Sequence, residues 1–107
     1  MITRIWHGYT TPANADAYES LLRSEILPGI HRIAGYQGAH LLRRTLPRTG
    51  SADEVEFVTL TYFDSLDAVR AFAGEDYEAC VVPGEARALL SHFDARSAHY
   101  ETILRLA

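Results

Sequence analysis

Three histidines, His7, His40 and His99, are the residues of this 107-residue chain best placed for acid–base chemistry, because each falls in a stretch with a strand pattern. A neutral imidazole can accept a proton near neutral pH. Arg44 lies four residues after His40, on the same face of the predicted strand, and its guanidinium can stabilise an oxyanion. If these strands form one sheet, such side chains can act together on one bound molecule. The other two histidines, at positions 31 and 92, fall in helical or loop contexts and are expected at the surface or at helix ends.

The spacing of these histidines does not indicate a metal site. No two of them lie four residues apart on one predicted helix, and no His-x-His pair shares a strand face. The single Cys80 removes an internal disulfide and any cysteine-based zinc cluster. The chain also has no P-loop, no G-x-G-x-x-G and no Ser–His–Asp pattern. A metal site assembled from separate strands stays open, but the prediction is that the protein uses no metal and no cofactor.

Composition predicts one globular domain of residues 1–107 in the cytoplasm. Hydrophobic residues make up 48% and charged residues 22% of the chain, which are ordinary globular values. The net charge of -4 argues against nucleic acid as a partner, since phosphate binding calls for a basic surface. No apolar run approaches the ~18 residues of a membrane span, and polar Thr3 and Arg4 stand where a signal peptide would be apolar. No membrane partner is expected.

The stretch EVEFVTLTYFDSLDAVRAF, residues 54–72, predicts a strand that runs directly into a helix. The residues from Val55 to Phe63 are mostly β-branched or aromatic, the types that fit a pleated, packed surface. Asp64 and Ser65 then offer side-chain oxygens to the free N–H groups of a helix start. Leu66, Val69 and Phe72 follow at a spacing of three, so they share one helical face.

Both faces of this strand are apolar. One face carries Val55, Phe57, Thr59, Thr61 and Phe63, and the other carries Val58, Leu60 and Tyr62. A strand with one face in water normally alternates apolar and polar residues. Helices of the same chain can cover one face, and a second subunit is the simplest cover for the other. The sequence therefore predicts a homodimer that packs sheet to sheet.

The remaining pattern predicts the order strand, helix, strand, strand, helix, strand. This is the ferredoxin-like split βαβ arrangement of an α+β protein, a four-stranded antiparallel sheet with helices on one face. The segment from 75 to 93 is expected to hold short helical pieces broken at Pro83 and Gly84. The other predicted elements are a strand at 2–9, a helix from Pro12 to about Leu27 with further turns to Gly35, a strand at 36–46 and a strand at 96–106.

Parity along the strands gives the expected site, on the sheet face away from the helices. If Trp6, Val58, Leu60 and Ala39 pack under the helices, the opposite residues line a cavity inside the dimer. The catalytic residues expected there are His7, Thr61 and Arg44, and the substrate-binding residues are His40, Thr59, Phe63, Phe57 and His99. The parity near the C-terminus is ambiguous, so either His99 or Tyr100 can face this cavity. The alternative is that these residues are half-buried hydrogen-bonding groups of a dimer core.

With these residues in view, the chain resembles the antibiotic biosynthesis monooxygenase (ABM) domain family over nearly its whole length. The resemblance is carried by MITRIWHGYT at the start, EVEFVTLTYFDSLDAVRAFAGED in the middle and AHYE near the end. It implies a dimeric α/β-barrel and, among several known activities, a cofactor-independent oxygenase of an aromatic or quinol-like substrate. On that interpretation, His7 takes a proton from a phenol, and Thr61 and Arg44 position the anion that reacts with O₂.

Two departures from the family pattern restrict the activity. Many relatives carry a Trp near the end of the third strand, where this chain has Phe63. Haem-degrading relatives supply an iron-ligating His after that strand, but residues 65–84 contain none here. Two hypotheses are therefore carried forward. The first is a cofactor-independent monooxygenase acting on a small aromatic molecule, and the second is a non-catalytic dimeric barrel that binds a small apolar ligand or serves a stress or assembly role.

Overall fold

An antiparallel sheet with helices on one of its faces forms the framework of the protein, and it confirms the α+β, ferredoxin-like prediction. The structure, a computed structural model, describes residues 1–30, 32–47 and 53–106. The elements in chain order are β1 (Ile2–Thr10), α1 (Pro12–Leu21), a π-helical segment (Leu22–Ile26), α2 (Leu27–Ile30), β2 (Tyr36–Leu46), β3 (Glu54–Phe63), α3 (Leu66–Ala73), α4 (Gly84–Leu89), β4 (His92–Phe93) and β5 (Ala98–Glu101).

Strand β1 lies at the centre of the sheet, whose strand order is β2-β3-β1-β4, with β5 also paired to β1. The short strands β4 and β5 pair with opposite ends of β1. Strand β4 pairs with Gly8 and Tyr9, and β5 pairs with residues 2–5. Together they occupy the position of one fourth strand. The predicted strand over 96–106 was therefore too long, because strand pairing ends at Glu101.

The long helical region begins as the sequence predicts and then changes geometry. Thr11 caps α1 by accepting a hydrogen bond from the backbone N–H of Asn14, and Pro12 occupies the first turn. A π-helical segment follows and ends two residues before Pro28, whose missing N–H and ring disturb the α-helical hydrogen bonds. Helical structure ends at Ile30, short of the predicted Gly35. Within the described ranges, no helix has both the length and the apolar character needed to cross a membrane.

The helices pack on the face of β3 that carries Val55, Phe57 and Phe63. Phe57 packs edge-on against Tyr18 of α1 at 4.9 Å between ring centroids. Phe63 belongs to a second core cluster with Val69 of α3. The expectation that Val58 and Leu60 lie under the helices was therefore wrong. The register shows why, since Trp6 is paired with Thr59 and so shares its face.

The opposite face of the sheet carries no helix of this chain among the described residues. Its side chains come from the alternate positions of the three long strands, and Leu42 of β2 is 48% exposed. We call this surface the open face; its apolar members are Ile5, Leu42, Val58, Leu60 and Tyr62. The two-sided apolar character of β3 is thus real, with the larger and more buried residues on the helix side.

The turn before β2 depends on Gly35. Its φ of 88° lies in the left-handed region, and a Cβ at this position would be 2.7 Å from the Cβ of Ala68. Its carbonyl accepts a 2.8 Å hydrogen bond from the backbone N–H of Asp64, which fixes the turn against the start of α3. A side chain at this position must therefore strain the backbone and push α3 away.

We expect Gly35→Ala to lower the free energy of unfolding by about 2–4 kcal/mol, from left-handed strain and overpacking together. Urea denaturation followed by circular dichroism measures the change. Gly29→Ala is the matched control, because Gly29 lies in α2 and a Cβ there would have nothing within 4 Å. It should be neutral or stabilising by about 0.5–1 kcal/mol. Equal stabilities of the two variants would contradict the account of the turn.

Candidate functional site

A cavity lies between the helix-covered face of the sheet and the helices themselves. The space within it that the centre of a water-sized molecule can occupy is about 60 Å³, room for a few waters or a small ring. Most of its walls are apolar. The lining residues are Arg4, Trp6, Tyr18, Leu22, Ile26, Leu27, Ile30, Thr59, Thr61, Phe72, Val81, Val82, Pro83, Ala86 and Ser97.

The polar groups of the cavity are a guanidinium and several hydroxyls. Thr59 and Thr61 line it from β3, Tyr18 lines it from α1, and Ser97 lines it from the position before β5. None of the described residues that line it is an aspartate, glutamate, histidine or cysteine. The wall is therefore rich in hydrogen-bond donors and has no anionic group.

Arg4 supplies the cation, from the middle of β1. The residue is 4% exposed, and its guanidinium is held by three hydrogen bonds. Nη1 donates to the carbonyl of Tyr77 at 2.6 Å and to Nε2 of His99 at 3.0 Å, while Nη2 donates to the carbonyl of Ala79 at 3.2 Å. The ring of Phe72 lies 5.3 Å from the guanidinium carbon. Arg4 is thus fixed in place by neutral partners.

The charge of Arg4 has no direct counter-ion. Across residues 1–30, 32–47 and 53–106, no carboxylate lies within 4.0 Å of its guanidinium. Burial lowers the pKa of Arg4 to about 10, so the side chain remains charged at neutral pH. Buried charges are normally paired, which makes this one the most unusual electrostatic feature of the cavity.

His99 stands behind Arg4 and is itself buried, with its side chain 5% exposed. Because arginine can only donate, Nε2 of His99 must accept the bond from Arg4, which places the ring proton on Nδ1. That Nδ1 has no hydrogen-bond partner among the described residues, and the nearest carboxylate oxygen, Oε2 of Glu78, is 3.8 Å away. Burial and then the charge of Arg4 lower the pKa of His99 below its usual 6.5. His99 is therefore held in its neutral form.

Two hydroxyls at the cavity lack protein partners. Ser97 is 3% exposed, and its Oγ makes no hydrogen bond within the described part of the chain. The hydroxyl of Tyr18, packed edge-on against Phe57, likewise makes none there. Burial raises the pKa of Tyr18 to about 12, so it remains a neutral phenol. Unpaired buried hydroxyls lose free energy unless a ligand or water bonds to them.

The structure separates the three residues predicted to be catalytic. Thr61 lies in the cavity, but His7 and Arg44 lie on the open face, on the other side of the sheet. Nδ1 of His7 is 2.7 Å from the carboxylate of Asp94, and Nε of Arg44 donates to Glu56 at 2.6 Å. The prediction that His7 and Thr61 face one site was wrong, because residues 7 and 58 are paired and residues 7 and 61 lie on opposite faces.

The predicted substrate-binding residues are divided in the same way. Thr59 lines the cavity, whereas Phe57 and Phe63 are fully buried in the two core clusters. His40 is exposed on the open face, with its Nδ1 3.1 Å from the hydroxyl of Tyr62. His99 faces the helix side next to Arg4, and Tyr100 is exposed, which resolves the ambiguity at the C-terminus.

Sequence reasoning missed Arg4 and Ser97. For Arg4 a signal was present, since a charged residue stands between Ile2 and Trp6 on one face of the first strand. Such a charge inside an apolar strand is expected to be functional or paired. For Ser97 the sequence offered no signal, because its burial depends on the break between β4 and β5.

The sheet and its one-sided helices define a ferredoxin-like α+β domain with a cavity between the two layers. Solved structures that share this fold include proteins named as antibiotic biosynthesis monooxygenases. A candidate antibiotic biosynthesis monooxygenase from Deinococcus radiodurans is 16% identical, with a TM-score of 0.67 over 100% of this chain and 97% of that one. No family model matches the sequence, and no curated protein matches it significantly.

Two further structures with this fold contain bound molecules. The monooxygenase from the ActVA-Orf6 gene of Streptomyces coelicolor, in complex with nanaomycin D, is 13% identical, with a TM-score of 0.58 over 99% of this chain and 90% of that one. The haem degrader MhuD of Mycobacterium tuberculosis, with two haems bound, is 17% identical, with a TM-score of 0.59 over 100% of both chains. At these identities the likeness establishes the fold.

The described cavity residues do not fit a haem iron. Haem iron takes an axial His, Cys, Met or tyrosinate ligand, and the described lining contains no His, Cys or Met. Tyr18 is the one phenol among the described lining residues, and its ring packs edge-on against Phe57 in the core. The sequence-based prediction that haem is not the native cofactor stands as a prediction on these grounds. His31, which follows α2, lies outside the described residues.

The lowered pKa of His99 predicts an acid-dependent loss of stability. Below pH 6.5 the unfolded chain takes up a proton at this residue more readily than the folded protein does, so the free energy of unfolding falls as pH decreases from 6.5 toward the folded pKa. Urea denaturation at pH 7.5 and pH 5.5 measures this. In His99→Gln, whose amide oxygen can accept from Arg4 without titrating, the fall should be smaller. An identical pH dependence in both proteins would contradict the account.

Proposed function

We propose that the cavity between sheet and helices binds a small aromatic molecule, a phenol or quinol, and that the protein oxidises it with O₂ without a cofactor. The observation that supports this most is an apolar cavity with a few hydrogen-bond donors, Arg4, Thr59, Thr61 and Ser97, and with no carboxylate among its described lining residues. Apolar walls with a small number of placed polar groups are typical of small-molecule sites. The monooxygenase of the same fold that is solved in complex with nanaomycin D favours this chemistry.

The reaction balances without any added redox group. Ionisation of a ring hydroxyl makes the ring carbon electron-rich enough to react with O₂. One oxygen atom of O₂ becomes bonded to that carbon, and the other leaves as water with two hydrogens of the substrate. Of those two hydrogens, one comes from that ring carbon and one from the hydroxyl, so a phenol is oxidised to a quinone with O₂ as the oxidant. The protein must bind the ring, orient it and stabilise its anion.

In this chain the anion is stabilised by charge. Among the described lining residues there is no imidazole or carboxylate to act as a general base. A cation close to a phenol lowers the pKa of that phenol, because it favours the ionised form. Arg4 can therefore promote ionisation of the bound ring, and the hydroxyl of Thr61 can orient its oxygen.

The same absence of a base favours a second candidate function. A non-catalytic barrel would need only to bind a small apolar or aromatic ligand in this cavity. Its polar groups would then supply specificity, and the bound molecule would leave unchanged. Binding without oxygen consumption distinguishes this function from catalysis.

Thr59→Leu tests the proposed oxygenase. The variant places a larger, apolar side chain in the cavity, so we expect O₂ uptake with single-ring phenol or quinol substrates to fall by about 10²-fold. Thr45→Leu, at an exposed position of β2, is the matched control and should keep wild-type rates. An oxygen electrode under saturating substrate measures both. If wild type consumes no O₂ with any of these substrates but binds them, the non-catalytic function is favoured, and equal rates in all three proteins would exclude the cavity as the site.

We also propose that the protein is a homodimer that pairs through the open face. That face carries apolar residues of three strands, and a sheet face of this kind in water would be an exposed apolar patch. A polar cluster lies along one end of it, where Glu56 accepts hydrogen bonds from the hydroxyl of Tyr9 and from Arg44. The apolar part of the face would then supply the association energy and the polar cluster the orientation.

Sedimentation at micromolar concentration should give a dimer. Leu42→Glu places a charge on the open face and should weaken the dimer by about tenfold or more, because a buried unpaired carboxylate is costly. Ala71→Glu is the control, since Ala71 is exposed on α3 on the other side of the sheet. A monomeric wild type would contradict the proposal, as would equal association of the two variants.

A further inference from the structure

We propose that the cavity selects an anion: its ligand carries an ionised oxygen, a phenolate or a carboxylate, that Arg4 binds, and His99 is the residue that positions Arg4 to do so. The inference deepens the proposed function, because it takes the same cavity as the ligand site and specifies the charge of what enters it. It does not depend on whether the bound molecule is then oxidised.

The first support is the bonding state of the guanidinium. Arg4 has five N–H donors. Three are used on neutral acceptors, the carbonyls of Tyr77 and Ala79 and the ring of His99. The remaining two have no partner among the described residues, on a side chain that lines the cavity. An oxyanion that accepts them would give the buried charge the counter-ion that the described protein groups do not provide.

The second support is the rest of the cavity wall. Thr61 lines the cavity from β3, and Ser97, which is 3% exposed and whose covered Oγ has no partner among the described residues, lines it next to β5. Both can donate to an anionic oxygen. A described wall without a carboxylate would repel no anion and would pair with no cation. The apolar surroundings strengthen the attraction between the guanidinium and an oxyanion, since screening is weak there.

The third support concerns His99. Its Nε2 must carry a lone pair, because the 3.0 Å contact with Arg4 needs an acceptor. A protonated ring would place an N–H against an N–H and two cations side by side, so Arg4 would be displaced. The neighbouring charged groups are Glu78, 3.8 Å from Nδ1, and Arg96, 3.7 Å from Glu78. The ring of Tyr77 packs edge-on against the imidazole at 5.1 Å.

The remaining group to consider near His99 is Glu101, which is exposed on the same strand. Burial and then the charge of Arg4 oppose protonation of the imidazole, whereas Glu78 and the backbone of Ser97 favour it. A neutral His99 is thus the form that keeps Arg4 in position. Protonation of His99 at acid pH should therefore release the guanidinium and weaken anion binding, although acid does not neutralise the guanidinium itself.

Benzoate and benzamide are suitable probes, because they have the same shape and differ in charge. Trp6 is the single tryptophan of the chain and lines the cavity, so its fluorescence reports binding. We expect benzoate to bind wild type about 10–100-fold more tightly than benzamide at pH 7.5, the value of a charge-assisted hydrogen-bond pair. In Arg4→Gln this preference should disappear. Equal affinities in wild type, no binding of either probe, or a preference that persists in Arg4→Gln would overturn the anion site.

The pH profile tests the role of His99 without relying on a variant at Arg4. Benzoate stays ionised from pH 8 to pH 5.5, since carboxyl pKa values lie near 4, so a fall in its affinity over this range reports on the protein. We expect such a fall in wild type, no change for benzamide, and a flat benzoate profile in His99→Gln. His92→Gln, at an exposed histidine, should behave as wild type. A flat wild-type profile would remove His99 from the positioning of Arg4.

Oxygen uptake separates this inference from the proposed function. Anion preference without O₂ consumption would leave the anion site intact and exclude the oxygenase. O₂ consumption with equal binding of the two probes would support the oxygenase and overturn the anion site.

Discussion

The guanidinium of Arg4 donates from the middle of the central strand to the carbonyls of Tyr77 and Ala79, which belong to the irregular segment between α3 and α4. That segment continues into Val81, Val82 and Pro83, which form part of the cavity wall. One buried charge thus holds the rim of the cavity against the sheet. The cost of desolvating it is offset in part by the three hydrogen bonds and the contact with Phe72.

The two faces of β3 are both apolar, but one packs against the helices and the other belongs to the open face. On the helix side, Val55, Phe57 and Phe63 form the core, and the two threonines between them leave space for the cavity. On the open face, a polar cluster lies at one end, where Tyr9 stacks on His92 at 4.3 Å and Arg44 pairs with Glu56. The pair holds the pKa of Glu56 below its ordinary value, with Arg44 as the main cause. The buried carboxylate is therefore charged and satisfied within a single chain.

Much of the fold could be predicted from the sequence, because its signals are local. The alternation of residue types predicted β2 at 36–46, and the cap at Ser65 predicted the start of α3, as the structure has them. Which face of β3 the helices cover could not be predicted from local sequence signals. Since β3 is apolar on both sides, its own pattern could not tell which side the helices cover, and the expected site was assigned to the wrong one. The register between Trp6 and Thr59 decides the matter, and such a pairing is a long-range property.

The π-helical segment Leu22–Ile26 has a consequence for the direction of the side chains that follow it. Leu22 and Ile30 are both buried and both line the cavity. Eight residues of regular α-helix turn about 80° beyond two full rotations, so the two side chains would diverge. A π turn spreads each rotation over more residues, since its hydrogen bonds span five positions and not four. The segment has the effect of one inserted residue: it changes the angular position of the residues that follow it around the helix axis. The side chain of Ile30 therefore lies on the same side of the helix as that of Leu22, and both contribute to one wall of the cavity.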